Sequence, residues 1–116
     1  MEYLFLCSMG VDRAPTARDV ARGIAQERGL DIQMSSCGYD VLPKLYPDTR
    51  EFLSRFDRIF VMEKYIRTGI ITNYGIECRK VVCLDVEDEY RRNDPELIAH
   101  FENRLNVEIT WALKNP

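Results

Sequence analysis

The chain has 116 residues, 46% of them apolar, which is enough to build the core of one domain over residues 1–116. Its charges are mixed in sign and sum to -3, so electrostatics give no reason to expect nucleic acid or an anionic membrane as a partner. No apolar run is long enough to span a bilayer, and the N-terminus lacks the pattern of a signal peptide. We therefore expect a cytoplasmic protein.

The cysteine and histidine content argues against a metal centre. Four cysteines lie in a chain without secretory features, and in a reducing cytosol they are expected to be thiols; they are Cys7, Cys37, Cys78 and Cys83. No two of them form a CxxC pair, and the chain has a single histidine, His100. A structural zinc site is therefore not expected, and nothing in the sequence indicates a cofactor.

The first part of the chain alternates between strand and helix patterns. Residues 3–7 form a continuous apolar run, which is typical of a strand buried on both faces. Pro15 suits a first helical turn, apolar residues follow at helical spacing, and Gly29 ends this predicted helix. A second strand is predicted over residues 32–37, with Gly38 as its end.

The same alternation continues to the C-terminus. After an irregular stretch with two prolines, the predicted elements are a helix from Asp48 or Thr49 to about Phe56, a strand over residues 58–62, a helix from Glu63 to about Tyr74, a strand over residues 80–84 and a terminal helix from Asp94. That last helix has an apolar stripe formed by Ile98, Phe101, Leu105, Ile109 and Ala112. This order predicts an α/β fold, a four-stranded parallel sheet with helices on both faces.

The loop from Cys7 to Arg13 leaves the carboxyl end of the first predicted strand, where parallel sheets bind ligands. It then enters a helix, whose free amides and dipole favour anions. Gly10 permits a positive φ, and Arg13 offers a planar, permanently charged fork to a phosphate. The same groups favour the ionised, nucleophilic form of Cys7. The loop thus predicts an anion site with a reactive thiol; the alternative is a buried strand-end cysteine near a surface arginine.

These residues resemble a known family. The segment from Leu4 to Ala17, LFLCSMGVDRAPTA, is similar to the phosphate-binding loop of the low-molecular-weight protein tyrosine phosphatases, and most of all to that of their short prokaryotic relatives. Further similarities follow in the family's order, in Ser36–Gly38 after the second strand, Phe56–Glu63 at the third strand and Glu87–Tyr90 at the acid loop. The resemblance covers most of the chain and implies the phosphotyrosine phosphatase I-like fold.

The resemblance also implies a mechanism and a substrate class. Cys7 would attack the phosphorus of a phosphorylated protein or a small aryl phosphate and form a cysteinyl-phosphate, which water then hydrolyses. An aspartic acid would protonate the leaving phenolate and afterwards act as the base. Loop groups would hold the phosphate oxygens without a metal, and the implied phosphate-binding residues are Ser8, Met9, Gly10, Val11, Asp12 and Arg13.

Three aspartates follow the fourth predicted strand and are candidates for the acid. The family pattern selects Asp88, with Tyr90 as a wall against an aromatic leaving group. Asp94 competes because it forms the Asp-Pro dipeptide, although Asp at an N-cap followed by Pro is also an ordinary helix start. The third possibility is that Asp85 is the acid or that the chain has no acid at all.

The loop departs from the family at three positions. Gly10 stands where the family usually has Asn, and Ala14 stands where it has a Ser or Thr whose hydroxyl is thought to bond the thiolate. Asp12 lies beside Arg13, and we expect its carboxylate to point out of the loop, because inside it would repel phosphate. A non-catalytic phosphate-binding relative is therefore one alternative function.

A thiol-dependent arsenate reductase is the other alternative. Such enzymes share the fold and pass a disulfide on from the loop cysteine, and Cys78 and Cys83 invite the comparison. However, Cys83 lies within a predicted buried strand, so plain burial is favoured. Cys37 ends the strand expected beside that of Cys7 and is interpreted as a small buried residue rather than a disulfide partner.

Overall fold

Four strands form one sheet in the computed structural model, which describes all residues from Met1 to Pro116. Each strand pairs with its neighbours in parallel, in the order β2-β1-β3-β4. Their bounds are Glu2–Cys7 for β1, Gln33–Gly38 for β2, Arg58–Val61 for β3 and Val81–Cys83 for β4. The predicted four-stranded parallel sheet is confirmed.

Helices cover both faces of this sheet. They are α1 (Arg13–Glu27), α2 (Leu42–Leu45), α3 (Thr49–Ser54), α4 (Lys64–Tyr74) and α5 (Pro95–Lys114), with short 3-10 turns at Tyr39–Val41 and Cys78–Lys80. Buried residues of α1 and α5 share one core cluster, and those of α2, α3 and α4 share the other. None of the helices combines the length and the apolar composition that crossing a membrane requires.

Strand β1 is buried on both faces of the sheet because its side chains alternate between the two cores. Tyr3 and Phe5 belong to the α1/α5 side, whereas Leu4 and Leu6 belong to the other side, and all four are fully buried. Phe5 also stacks on Phe60 of β3 with ring centroids 5.0 Å apart. Burying each such side chain contributes about 1.5–3 kcal/mol, so the strand that ends at the predicted site is firmly held.

The stripe predicted for the terminal helix is wrong at one position. Leu97, rather than Ile98, is fully buried at the start of the row that continues through Phe101 and Leu105. Leu97 lies one helical turn before Phe101 and on the same face, while Ile98 is rotated by about 100° from Leu97 and only partly buried. At the other end of the chain, α1 begins at Arg13.

The topology places a crevice at the carboxyl ends of β1 and β3. After β1 the chain crosses to β2 on one side, and after β3 it crosses to β4 on the other side. Connections that leave in opposite directions separate there, and ligands of open α/β sheets bind at such a point. The two segments that meet at this crevice begin at Cys7 and at Met62.

Candidate active site

The loop between β1 and α1 wraps around the sulfur of Cys7. The Gly10 N–H donates a hydrogen bond to Cys7 Sγ at 3.1 Å, and Cys7 is 3% exposed. This turn requires a φ of +77° at Gly10, a conformation that glycine adopts without steric cost. This backbone donor ties the middle of the loop to the sulfur at its start.

The loop is packed directly on the end of β2. A Cβ atom at Gly10 would lie 2.5 Å from the Gly38 nitrogen, and one at Gly38 would overlap the Met9 carbonyl. The Asp40 N–H donates to the Ser8 carbonyl at 2.9 Å and ties the two segments together. Two glycines in backbone contact therefore set the shape of the loop, whereas the sequence suggested only that Gly38 ends a strand.

The guanidinium of Arg13 is 1% exposed and is held by several acceptors. Its Nη1 donates to Glu63 Oε1 at 2.8 Å and to the Val86 carbonyl at 2.7 Å, while Nη2 donates to Ser8 Oγ at 3.2 Å. Asp88 Oδ1 lies 3.5 Å from Nη2. Both hydrogens of Nη1 are therefore used within the protein, and Nη2 has contacts with Ser8 and Asp88.

Glu63 is a site residue that the sequence did not single out. It directly precedes α4, and its side chain, 32% exposed, reaches across to Arg13. The available signal was its position, since a charged residue just after a buried strand lies at the carboxyl edge where the Cys7 loop also lies. Its contact with Arg13 joins residues 50 positions apart, which no local spacing reveals.

Asp88 lies at the mouth of the loop. One cavity is lined by Cys7, Ser8, Met9, Val11, Asp12, Arg13 and Asp88. The Asp88 side chain is 65% exposed, in contrast to the buried Arg13 beside it. The structure thus brings a buried cysteine, a buried arginine and a solvent-facing carboxylate to one opening.

Tyr90 and the other two aspartates lie elsewhere. Tyr90 and Asp85 line a separate cavity with His100, away from the one that contains Cys7. A turn at residues 88–89 precedes Tyr90, which packs against the α1/α5 core. Asp94 accepts from the Glu96 N–H at 2.9 Å as the N-cap of α5.

An aromatic pair lies on the Glu63 side of the site. Tyr65 is 48% exposed and packs edge-on against Tyr39, with ring centroids 6.1 Å apart. Burial raises the pKa of Tyr65 above its ordinary value, and the nearby charges of Asp40 and Glu63 raise that pKa further. An uncharged phenol therefore stands near the acidic rim of the site.

The residues that depart from the family have partners of their own. Asp12 Oδ1 accepts from the Arg92 N–H at 2.9 Å, so its carboxylate has a partner outside the loop, as the sequence predicted. Ala14 is fully buried and supplies no hydroxyl. Thr16 Oγ1 donates to the Asp12 carbonyl at 2.8 Å and accepts from the Asn93 N–H at 2.9 Å, so its hydroxyl is already engaged.

The other three cysteines are all free, and none of them forms a disulfide with Cys7. Cys37 is paired in register with Leu6 and shares its core, on the face opposite to that of Cys7, and burial raises the pKa of the Cys37 thiol. Cys83 packs against the same opposite core. Cys78 is exposed in the turn before β4, at the amino edge of the sheet.

Neither a family model nor a curated protein matches this chain, but solved structures do. A low-molecular-weight protein tyrosine phosphatase from T. tengcongensis is 19% identical with a TM-score of 0.72, and the match covers 95% of this chain and 98% of that one. The phosphotyrosine phosphatase VcLMWPTP-2 from Vibrio cholerae O395 is 16% identical, also with a TM-score of 0.72, over 100% and 99% of the two chains. The chain has the fold of the low-molecular-weight protein tyrosine phosphatases.

Another solved structure with the same fold is named for a different substrate, as an arginine phosphatase rather than a tyrosine phosphatase. It is a mutant of the YwlE arginine phosphatase with a phosphorylated active-site serine, 17% identical with a TM-score of 0.65, over 92% of this chain and 95% of that one. The resemblance found in the sequence is confirmed at the level of the fold. Within this phosphatase fold, the crevice beyond β1 and β3 is where Cys7, Arg13 and Asp88 converge.

Proposed function

We propose that residues 1–116 act as one phosphatase-like domain that hydrolyses phosphomonoesters, with phosphotyrosine or a similar aryl phosphate as substrate. The carrying observation is that Cys7, Arg13 and Asp88 line one cavity at the crevice of a phosphatase fold. The proposed substrate is a phosphorylated protein or a small aryl phosphate whose phosphoryl group enters this opening. All four cysteines are free, which fits a reducing compartment, the cytoplasm.

The proposed reaction has two balanced steps. The Cys7 thiolate attacks phosphorus, and the S–P bond forms as the bond to the leaving phenolate breaks and Asp88 gives the phenolate its proton. Asp88, now a carboxylate, then takes a proton from water, whose oxygen bonds to phosphorus as the S–P bond breaks. Inorganic phosphate leaves, and the thiolate and the protonated acid are restored.

Arg13 and the loop amides stabilise the charge that spreads over the equatorial oxygens. Because Glu63 and Val86 fix one side of the guanidinium, it is oriented before phosphate arrives. Losing one such donor commonly costs about 2.7–4 kcal/mol in the transition state. We therefore expect Arg13→Ala to lower kcat/KM by roughly a hundredfold or more.

Covalent chemistry at position 7 has support from a neighbour of the same fold. The YwlE mutant carries a phosphorylated active-site serine, so a side chain in that active site becomes phosphorylated. That protein is an arginine phosphatase, so the substrate test includes a phosphoarginine peptide beside a phosphotyrosine peptide. Preference for phosphoarginine would change the substrate and leave the reaction type in place.

A second candidate is a phosphate-binding protein without turnover. The observation that favours it is Ala14, since the thiol receives no hydroxyl from that position and Thr16 is engaged with Asp12 and Asn93. Losing one charge-assisted bond costs about 1.5–3 kcal/mol, or roughly ten- to a hundredfold in rate. A penalty of this size slows the enzyme and does not abolish it, so phosphatase activity is the main proposal.

The positions of the other cysteines favour a phosphatase over an arsenate reductase. Cys37 and Cys83 belong to the core on the opposite face of the sheet, and Cys78 lies at its amino edge. A disulfide relay from Cys7 would have to cross the sheet. Under this proposal, arsenate exposure leaves Cys7 without a disulfide partner.

One comparison tests the proposal. Aryl phosphate hydrolysis is measured for the wild type, Cys7→Ser, Asp88→Ala and Asp94→Ala. The proposal expects turnover by the wild type, none by Cys7→Ser, a reduced kcat for Asp88→Ala and an unchanged kcat for folded Asp94→Ala. Saturable vanadate binding without any turnover, lost in Arg13→Ala, would replace the phosphatase by the phosphate-binding protein.

A further inference from the structure

The segment of residues 84–94, which carries Asp88, is anchored first at Val86. The Val86 N–H donates to the Met62 carbonyl at 2.7 Å, and the Val86 carbonyl accepts from Arg13 Nη1 at 2.7 Å. This end of the segment therefore rests on β3 and on the arginine of the phosphate loop.

A second anchor holds the other end. The Arg92 N–H donates to Asp12 Oδ1 at 2.9 Å, and the Asn93 N–H donates to Thr16 Oγ1 at 2.9 Å. Asn93 has a φ of +61°, a conformation that is uncommon without glycine and that these two hydrogen bonds hold in place. The side chain of Arg92 makes a separate ion pair with Asp19 at 3.3 Å.

Asp88 has little to fix it besides this backbone. Its side chain is 65% exposed, and its distance of 3.5 Å from Arg13 Nη2 is long for an ion pair. Only residues 87–91 separate the anchor at Val86 from the anchor at Arg92. The place of Asp88 at the cavity is therefore set by the two ends of a short turn.

We propose that Asp12 is a positioning residue, whose carboxylate holds the Arg92 amide and so sets where Asp88 stands over Cys7. The role rests on the proposed function, in which Asp88 is the acid. This role accounts for a carboxylate inside a phosphate-binding loop, because that carboxylate accepts a hydrogen bond from a backbone N–H of the segment that carries Asp88. The residue that fixes the acid thus belongs to the loop that binds the phosphate.

Three variants separate this role from a general effect on the loop. Asp12→Ala removes the acceptor, Asp12→Asn keeps a side-chain oxygen at the same place, and Arg92→Ala keeps the amide while deleting the ion pair with Asp19. A misplaced acid harms a poor leaving group most, since a good one departs without a proton. We expect Asp12→Ala to lower kcat/KM on phenyl phosphate about tenfold more than kcat/KM on p-nitrophenyl phosphate, because kcat/KM reports the step in which the leaving group departs.

Asp12→Asn and Arg92→Ala are the controls, because both keep the hydrogen bond between residue 12 and the backbone amide of residue 92. Asp12→Asn and Arg92→Ala are expected to keep the ratio of the two kcat/KM values within about twofold of the wild type. Equal losses on both substrates in Asp12→Ala would overturn the proposal and indicate damage to the phosphate loop itself. A ratio changed as strongly by Arg92→Ala would also overturn it, because the anchor would then be the arginine side chain.

Amide hydrogen exchange in the free protein gives a readout without substrate. The Arg92 and Asn93 amides are expected to exchange at least about tenfold faster in Asp12→Ala and at the wild-type rate in Asp12→Asn. Unchanged exchange in Asp12→Ala overturns the anchor. If the wild type hydrolyses neither substrate, the phosphatase proposal fails, and exchange at Arg92 still decides whether Asp12 holds the segment.

Discussion

Replacing Gly10 by alanine tests the contact that shapes the loop from Cys7 to Arg13. The added Cβ would lie 2.5 Å from the Gly38 nitrogen and 2.7 Å from the Cys37 carbonyl carbon, and both are backbone atoms of a buried strand. They cannot move away as a flexible side chain does. Strain of this kind typically costs about 1–3 kcal/mol.

The backbone conformation adds a second cost. At a φ of +77°, an L-residue is disfavoured by about 1–2 kcal/mol relative to glycine. We therefore expect Gly10→Ala to lower the free energy of unfolding by about 2–5 kcal/mol, a large share of the 5–15 kcal/mol typical of a domain. The Gly10 N–H would also be displaced from Cys7 Sγ, so vanadate affinity should fall in the folded variant.

Gly29 supplies the matched control. Its φ is +65°, but a Cβ there meets nothing within 4 Å. Gly29→Ala should thus show the backbone cost alone, about 1–2 kcal/mol. Urea unfolding of the two variants measures the difference, and a loss for Gly10→Ala within about 0.5 kcal/mol of that for Gly29→Ala would refute the steric reasoning.

Three further predictions concern single contacts. Glu63→Ala removes one acceptor from the buried Arg13, so the free energy of unfolding in urea should fall by about 1–2 kcal/mol. The loss should be smaller in Glu63→Gln, because its amide oxygen still accepts. Equal losses in the two variants would contradict this prediction. Asp94→Ala should lower the free energy of unfolding by about 1 kcal/mol, because α5 loses its N-cap. The urea midpoint should fall while kcat stays unchanged. A loss of kcat as large as in Asp88→Ala would instead identify Asp94 as the acid. Burial raises the pKa of Tyr3 above the ordinary 10.0, so the folded state holds the phenol proton more tightly than the unfolded state does. The free energy of unfolding should therefore fall as the pH rises above 10.0. Tyr3→Phe should make this fall with pH less steep, and an equally steep fall would contradict the prediction.

Local patterns predicted the elements that carry the site. The apolar run before Cys7 indicated a buried strand, and the structure has β1 over Glu2–Cys7. The helix start at Asp94 and Pro95 was correctly interpreted from the same kind of short-range signal. Such features depend on neighbouring residues, so one sequence is enough to find them.

Features that depend on distant contacts were not predictable. The pairing of Arg13 with Glu63 and the fit of Gly10 against Gly38 join segments that meet only after the sheet forms. The packing of Tyr90 was not predictable either, because Tyr90 follows a turn at residues 88–89 and contacts the α1/α5 core. Spacing alone cannot give the direction of a chain after a turn.

The most direct test of the account looks for phosphate on Cys7 itself. Wild-type protein is mixed with an aryl phosphate, and the reaction is quenched in acid. The protein is then digested, and the mass of the peptide that contains Cys7 is measured by mass spectrometry. The account predicts one added phosphoryl group on that peptide during turnover and none in Cys7→Ala, which should also be inactive. Turnover that persists in Cys7→Ala, or a phosphoryl group on another residue, would contradict it.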